Sequence, residues 1–201
     1  LVCCVAAASP GVKYWEDAIT LPTYPWYDDV NPVFESFEDS IYYPYTRQDH
    51  ISKSSEPRTY RTLCLENEYL RVTCIPELGG RIHSVVVKAT GTEMFHRNDA
   101  IKPALIAMRG AWIGGGIEWN AGPHGHTVTI LSPVDVVIRE NRDRSVTLVV
   151  NNTEKMFRTC WTVELTLHPG KAYLDEAIRM YNPTDGIHPY YFWNCTGFPN
   201  L

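Results

Sequence analysis

The stretch Trp161-Thr-Val-Glu-Leu-Thr-Leu-His-Pro-Gly170 carries the pattern that decides the fold of this chain. Apolar and polar residues alternate from Trp161 to Leu167, as they do in a β-strand with one buried face. His168-Pro-Gly170 is typical of a turn, and one face of the returning segment then holds Leu174, Ile178 and Met180. The stretch therefore predicts two neighbouring antiparallel strands.

The same alternation recurs on the N-terminal side and once more near the end of the chain. It predicts strands at residues 62–65, 70–75, 81–87, 134–139, 146–151 and 190–194, separated by turn residues. No run of ten or more residues has a helical period, and no internal repeat is visible. We therefore predict an all-β protein that forms a sandwich or a barrel.

Composition and charge limit the function. The 201 residues are 44% hydrophobic and 20% charged, which is enough for the core of one domain. The 18 Lys and Arg residues against 23 Asp and Glu give a net charge of −5, with no basic cluster. A phosphate backbone would find no positive surface here, so we expect no nucleic-acid partner.

The chain divides into three parts by composition. Residues 1–9 form a short apolar run ending in small residues, typical of the end of a secretory signal peptide, and too short to span a membrane. This predicts export to the bacterial periplasm or outside the cell; the alternative is a disordered stub. Residues 10–59, rich in aromatics and prolines, predict an extended arm over the body. Residues 60–201 predict the β domain, incomplete at its C-terminal end.

Four cysteines lie inside the predicted domain, and their spacings match neither a zinc ribbon nor a redox pair. Their apolar surroundings favour free thiols, with one disulfide as the alternative. These residues are Cys64, Cys74, Cys160 and Cys195.

The glycine-rich segment at residues 109–127 concentrates reactive side chains and is the candidate site. Glu118 lies beside Trp119, and a carboxyl group with little water around it is expected to favour its neutral form, as a general acid requires. The alternative is a glutamate that hydrogen-bonds loop amides. Trp112 and Trp119 offer flat faces on which a sugar can pack, or they are core residues.

Polar groups beside these rings complete the candidate pocket: Asn120, Arg109 and Arg81, which follows Gly79-Gly80. Arg81 is interpreted as an inward donor or as a residue that fixes a strand. His124 and His126, two apart, lie on one face of a strand and could hold a metal, but a third ligand is missing. We therefore expect no metal and no cofactor, and a role for these histidines in proton transfer or hydrogen bonding.

Several sequence motifs carry a resemblance to a known group of proteins. Pro76-Glu-Leu-Gly-Gly-Arg-Ile82 is similar to a strand of galactose mutarotase-like (aldose epimerase) domains. The motifs Leu65-Glu-Asn-Glu-Tyr-Leu-Arg71, Gly110-Ala-Trp-Ile-Gly-Gly-Gly-Ile-Glu-Trp-Asn120 and Gly125-His-Thr127 resemble the uncharacterised domain that often precedes tetratricopeptide repeats in bacterial proteins. This resemblance runs from about residue 15 to the end of the chain.

The resemblance implies an antiparallel β-supersandwich whose concave sheet binds carbohydrate, with helical repeats in the intact chain. We expect acid/base chemistry of the glycoside hydrolase or sugar epimerase type, with Glu118 as the acid/base group and His124 or His126 assisting. The expected pocket residues are Arg81, Arg109, Trp112, Trp119 and Asn120. The alternatives are a non-catalytic oligosaccharide-binding or scaffold module, and a metal-dependent enzyme using His124 and His126.

Two catalytic positions of the resembling enzymes are not matched in this chain. Mutarotases use a late histidine and a late glutamate; matching the final strand places Pro189, next to His188, at the histidine position and puts the glutamate position beyond Leu201. Glycoside hydrolysis needs a second carboxylate across the sugar, for which Asp99 is the best candidate.

Overall fold

The computed structural model describes residues 11–30, 43–107, 109–122 and 126–199. In this part of the chain, one short 3₁₀ turn at Pro76–Leu78 interrupts a succession of β-strands. In chain order these are β1 Lys13–Thr23, β2 Trp26–Tyr27, β3 His50–Ile51, β4 Glu56–Glu66, β5 Leu70–Ile75, β6 Arg81–Val87, β7 Thr92–Glu93, β8 Ala104–Ala107, β9 Gly110–Trp112, β10 Ile117–Gly122, β11 Asp135–Glu140, β12 Val146–Thr153, β13 Cys160–Leu167, β14 Leu174–Tyr181 and β15 Tyr191–Thr196. The all-β prediction is confirmed.

Two antiparallel sheets form the body of the domain. The larger sheet has seven strands in the order β1-β4-β5-β6-β10-β15, with β7 paired to β6. The smaller sheet has the order β11-β12-β13-β14. The pair predicted from residues 161–180 is present, since Trp161 lies opposite Met180 and Leu167 opposite Leu174.

The main core fills the space between these sheets. Alternate residues of β12 and β13 point inward, and Leu148, Val150 and Val163 are fully buried. The larger sheet contributes Leu65 and Trp119, among others, to the same cluster. Alternation therefore places one face of each sheet in the sandwich, as expected for packed antiparallel sheets.

The other face of the larger sheet is also partly covered. A second cluster packs there between Tyr60 of β4, Ile75 of β5 and residues from the connections, including Ile101, Ile113 and Ile130. Strands of a sheet with two apolar faces have continuous hydrophobic sequences instead of alternating ones. The sequence alone therefore does not tell which face carries a site.

Two consecutive glycines bring the chain into β6. Gly79 and Gly80 have φ angles of 72° and 68°, in the left-handed region. A Cβ atom at Gly80 would lie 2.4 Å from Cγ1 of Val150 in the facing sheet. Glycine is required here by both the turn and the close approach of the two sheets.

The predicted N-terminal arm is partly a strand of the larger sheet. β1 pairs along its whole length with β4, with Pro22 opposite Pro57 near one end. Pro22 lies on an edge strand, and Pro57 lies in the part of β4 that extends beyond its pairing with β5, so each proline has a side without ladder hydrogen bonds. The signal-like residues 1–9 lie outside the described part of the chain.

Two further observations concern cysteines and membrane crossing. Cys64, Cys74, Cys160 and Cys195 are free, as the sequence favoured. Among the described residues there is no helix with the length and apolar character needed to cross a membrane.

Candidate functional site

Strand β10 places two polar side chains on the outer face of the larger sheet. Ile117, Trp119 and Ala121 point into the main core, so Glu118 and Asn120 point the opposite way. Glu118 is only 2% exposed, and Asn120 is fully buried. Burial of a carboxyl group costs free energy unless hydrogen-bond donors compensate for the lost water, so the chemistry of this site depends on the partners of Glu118.

Glu118 is the centre of a dense hydrogen-bond network. His126 Nδ1 lies 2.8 Å from Oε1, and Asn120 Nδ2 donates to the same oxygen at 3.0 Å. The Trp112 indole N–H lies 3.2 Å from Oε1 and 3.0 Å from Oε2. Arg81 Nη2 donates to Oε2 at 3.2 Å. Both oxygens of the carboxylate are therefore engaged by donors.

This network keeps Glu118 ionised, contrary to the general-acid expectation. Burial acts to raise the pKa of Glu118, but the hydrogen bonds from His126 and Asn120, the Arg81 charge and the Trp112 N–H outweigh it. The pKa of Glu118 is consequently lowered below its ordinary value. The expectation of a neutral carboxyl group was wrong because it counted the apolar neighbours and missed the donors.

Arg81 holds the glycine-rich segment in place. Its guanidinium donates to the carbonyl of Ile113 at 3.0 Å and to those of Gly114 and Gly115 at 3.0 and 3.2 Å. Burial lowers the pKa of Arg81 to about 10, against the opposing effect of Glu118, so the group stays charged at neutral pH. Arg81 is thus a positioning residue beneath the site, which corresponds to the strand-fixing interpretation.

His126 is one of three members of the cluster that reach solvent, together with Trp112 and Cys195. Its side chain is 19% exposed, against 3% for Glu118. The imidazole contacts two indoles, with ring centroids 5.3 Å from Trp112 and 5.0 Å from Trp193. A carboxylate only accepts hydrogen bonds, so Nδ1 carries the proton toward Glu118, and in a neutral imidazole this tautomer leaves the lone pair on Nε2.

Strand β15 supplies two site residues that the sequence analysis did not single out. Cys195 lies opposite Glu118 and Trp193 opposite Asn120, so both side chains share the outer face. The predicted strand at 190–194 was correct, but its pairing with β10 is a long-range contact that no local pattern reveals.

Two of the expected pocket residues lie elsewhere. Trp119 is 1% exposed in the core, with its N–H donating to the Gly80 carbonyl at 2.9 Å. Arg109 donates to Asp28 at 2.6 Å and to the Val128 carbonyl at 2.8 Å. Trp119 therefore follows the core alternative, and Arg109 anchors the N-terminal segment.

Two other candidates do not join the Glu118 cluster. His124 lies outside the described residues. Asp99 is 94% exposed and lies 3.9 Å from Arg97, and none of its described contacts reaches Glu118. Of the predicted set, the structure brings together Arg81, Trp112, Glu118, Asn120 and His126.

The cluster also has the ligand types of a metal site. Donor atoms of Glu118, His126 and Cys195 all lie within 4.8 Å of one another. However, the Glu118 oxygens already accept from several side chains, including a guanidinium whose charge opposes a cation. Burial first, and then Glu118, raise the pKa of Cys195 to about 11, whereas a metal requires the thiolate. These contacts therefore make the three donor groups a poor fit for a metal ion.

Comparisons with known proteins find one matching family and a similar solved structure. A family model described as "Domain of unknown function (DUF5107)" matches residues 38–200. A crystal structure of a TPR-domain containing protein from Parabacteroides distasonis ATCC 8503, at 2.26 Å resolution, is similar, with a TM-score of 0.86 and 27% sequence identity. The match covers 96% of this chain and 33% of that chain. This chain therefore spans about a third of the length of that protein.

Proposed function

The chain belongs to the DUF5107 family, a family of unknown function, and we propose that its outer sheet face binds a carbohydrate and that His126 exchanges a proton with it. The similar structure is that of a TPR-domain containing protein, which supports the further proposal that helical repeats accompany this domain in the intact protein.

The observation that carries the proposal is the way in which Glu118 holds the imidazole of His126. Its Nδ1 is fixed at 2.8 Å by an ionised, buried Glu118, while Nε2 has no protein partner among the described residues. A carboxylate that fixes the tautomer and orientation of a histidine is the usual arrangement of a general base. The basic role therefore falls to His126, with Glu118 as its positioning residue.

The indoles beside His126 favour a sugar as the ligand. Trp112 and Trp193 are half-buried, and both indoles contact the imidazole. Aromatic faces pack on the C–H faces of sugars, while a nearby polar group contacts a hydroxyl. His126 lies where such a hydroxyl, or the proton of a neighbouring carbon, would be placed.

The cluster supports proton transfer better than glycoside hydrolysis. Hydrolysis uses two carboxyl groups that flank the glycosidic bond. Within the described residues, Glu118 is the one carboxylate of the cluster, and its oxygens are occupied by donors. An isomerase-type reaction, in which His126 takes a proton from one atom of a sugar and its protonated form returns that proton to another atom of the same sugar, needs no second carboxylate.

The test compares His126→Gln with His168→Gln. His168 is a partly exposed histidine that also contacts a carboxylate, with Nε2 2.7 Å from Asp175, but it lies in the turn between β13 and β14. The assays are anomer interconversion of glucose and galactose followed by NMR, hydrolysis of nitrophenyl glycosides, and binding to an oligosaccharide array.

We expect His126→Gln to lower turnover by about 10²–10⁴-fold, the usual contribution of a positioned acid or base. His168→Gln should keep wild-type turnover. Full activity of His126→Gln would refute the proton-transfer role. Array binding without turnover in the wild type would leave the carbohydrate-binding module as the function.

A further inference from the structure

A second polar cavity lies away from the Glu118 cluster, under the N-terminal segment. It has a volume of about 340 Å³ and none of its lining residues contacts Glu118. The chain around Asp28 and Tyr45 forms one wall, and the loop that carries Thr129 forms another. Asn152, at the end of β12, and Lys155 close it.

Two buried polar atoms in its lining have no partner in the described part of the chain. They are Oγ1 of Thr129, a residue that is 6% exposed, and Nδ2 of Asn152. Buried polar groups in native proteins are nearly always hydrogen-bonded, because leaving one unpaired costs free energy. An unpaired hydroxyl and an unpaired amide donor in one cavity indicate a ligand that supplies acceptor oxygens.

The charge of the cavity favours an anion. Lys155 Nζ lies 5.5 Å from the Tyr45 ring centroid and forms no ion pair with a described carboxylate. Arg109 lies at a similar 5.5 Å from the same ring, but Asp28 neutralises it at 2.6 Å. Among the lining residues, Lys155 therefore keeps a positive charge without an ion pair, on a flexible stem at the cavity edge. The neighbouring carboxylate of Glu154, which also acts on Tyr45, is held by the backbone N–H groups of Met156 and Phe157.

We propose that this cavity binds a monosaccharide-sized sugar acid, with the carboxylate toward Lys155 and hydroxyls toward Thr129 and Asn152. Its volume lies at the lower end of the range of small-molecule pockets and exceeds what an inorganic anion fills. Tyr45 provides a firm aromatic wall, since it is 6% exposed and its hydroxyl accepts the Lys155 backbone N–H at 2.8 Å. These contacts are independent of the His126 proposal.

The experiment measures binding of sodium glucuronate, glucose and inorganic phosphate by calorimetry. We expect glucuronate to bind, and glucose and phosphate to bind at least tenfold more weakly. Thr129→Val removes the unpaired hydroxyl at nearly constant volume, and Lys155→Met removes the charge but keeps the stem. Each should weaken glucuronate binding at least tenfold, while Lys155→Arg should restore it.

The matched control is Lys102→Met, because Lys102 Nζ also lies over a tyrosine ring, 5.2 Å from Tyr24, outside the cavity. It should bind glucuronate like the wild type. His126→Ala should also leave this affinity unchanged, which separates this site from the proposed catalytic one. Because Thr129 Oγ1 is unpaired, Thr129→Val should unfold at the wild-type temperature or above it.

Three results would overturn the proposal. The first is no binding of glucuronate at millimolar concentration. The second is equal binding of phosphate and glucuronate, which would show a general anion site. The third is unchanged affinity in both Thr129→Val and Lys155→Met.

Discussion

At the scale of single residues, the lowered pKa of Glu118 contradicts the expected neutral acid and supports our proposal that His126 is the base. The sequence placed Glu118 beside Trp119 and so indicated a neutral acid. In the structure, the alternation of side chains along β10 points Trp119 into the core, away from Glu118. The carboxylate instead accepts hydrogen bonds from side chains of β6, β9 and the loop before Thr127. Residue type and spacing identified the cluster, but the direction of the pKa shift depends on contacts that sequence does not contain.

His83 gives a testable consequence at the same scale. This residue is 6% exposed, and burial, followed by the charges of Arg81 and Arg97, lowers its pKa from 6.5 to about 4. Between these values the unfolded chain binds more protons than the folded one, so acidification favours unfolding. The stability due to neutral His83 is complete above pH 6.5 and lost as the pH falls to about 4.

We therefore predict that His83→Gln flattens the pH dependence of stability between pH 6.5 and 4.5. Urea unfolding at half-unit pH steps measures the slope in the variant and the wild type. The lowered pKa of Glu118 acts in the same direction, but only below its ordinary value of 4.5, so it does not obscure this window. Identical slopes in the two proteins would contradict the assignment.

At the scale of elements, the strands with strict alternation were predictable and the irregular ones were not. Strand β6 has the predicted bounds, and β5 and β13 were recognised from alternation alone. β1 was missed as a strand because Pro22 and its aromatic neighbours indicate a non-strand segment, whereas an edge position tolerates them. β10 was not predicted because three glycines precede it and its polar residues resemble those of a loop that carries a site.

The glycines before β10 give the second prediction. Gly116 has φ 62°, and a Cβ atom there would lie 1.9 Å from the Ile82 carbonyl oxygen. Gly116→Ala should therefore separate β6 from β10 and lower the free energy of unfolding by more than about 3 kcal/mol. Thermal and urea unfolding measure the loss.

Gly91→Ala is the matched control for this change. Gly91 has a similar φ of 70° but no atom within 4 Å of an added Cβ. Gly91→Ala should lower the free energy of unfolding only by the cost of a left-handed backbone at a residue with a Cβ atom, roughly 1–2 kcal/mol. Equal losses in the two variants would show that the close approach to Ile82 does not matter.

At the scale of the whole molecule, the larger sheet separates two environments. One face packs against the smaller sheet, and the other carries the Glu118 cluster. Trp119 and Trp193 lie on neighbouring strands but on opposite faces, since Trp119 pairs with Asn194 and Trp193 with Asn120. Sequence could not assign the faces because both are covered by apolar residues.

This arrangement predicts different outcomes for the two tryptophans. Trp119→Ala leaves a cavity in the core and should cost roughly 3–5 kcal/mol of folding free energy. Trp193→Ala should unfold at close to the wild-type temperature and lose saccharide binding. Differential scanning calorimetry and the oligosaccharide array measure the two effects. A large drop in melting temperature for Trp193→Ala would place that ring in the core instead.

The site around His126 draws its side chains from positions as distant in sequence as Arg81 and Trp193. No folding intermediate that lacks β15 or β6 can present it, so only the native state binds its ligand. A ligand at 100 times its Kd then stabilises the native state by about 2.7 kcal/mol. A shift in melting temperature is therefore a sufficient signal for identifying the ligand from a library, without knowledge of the reaction.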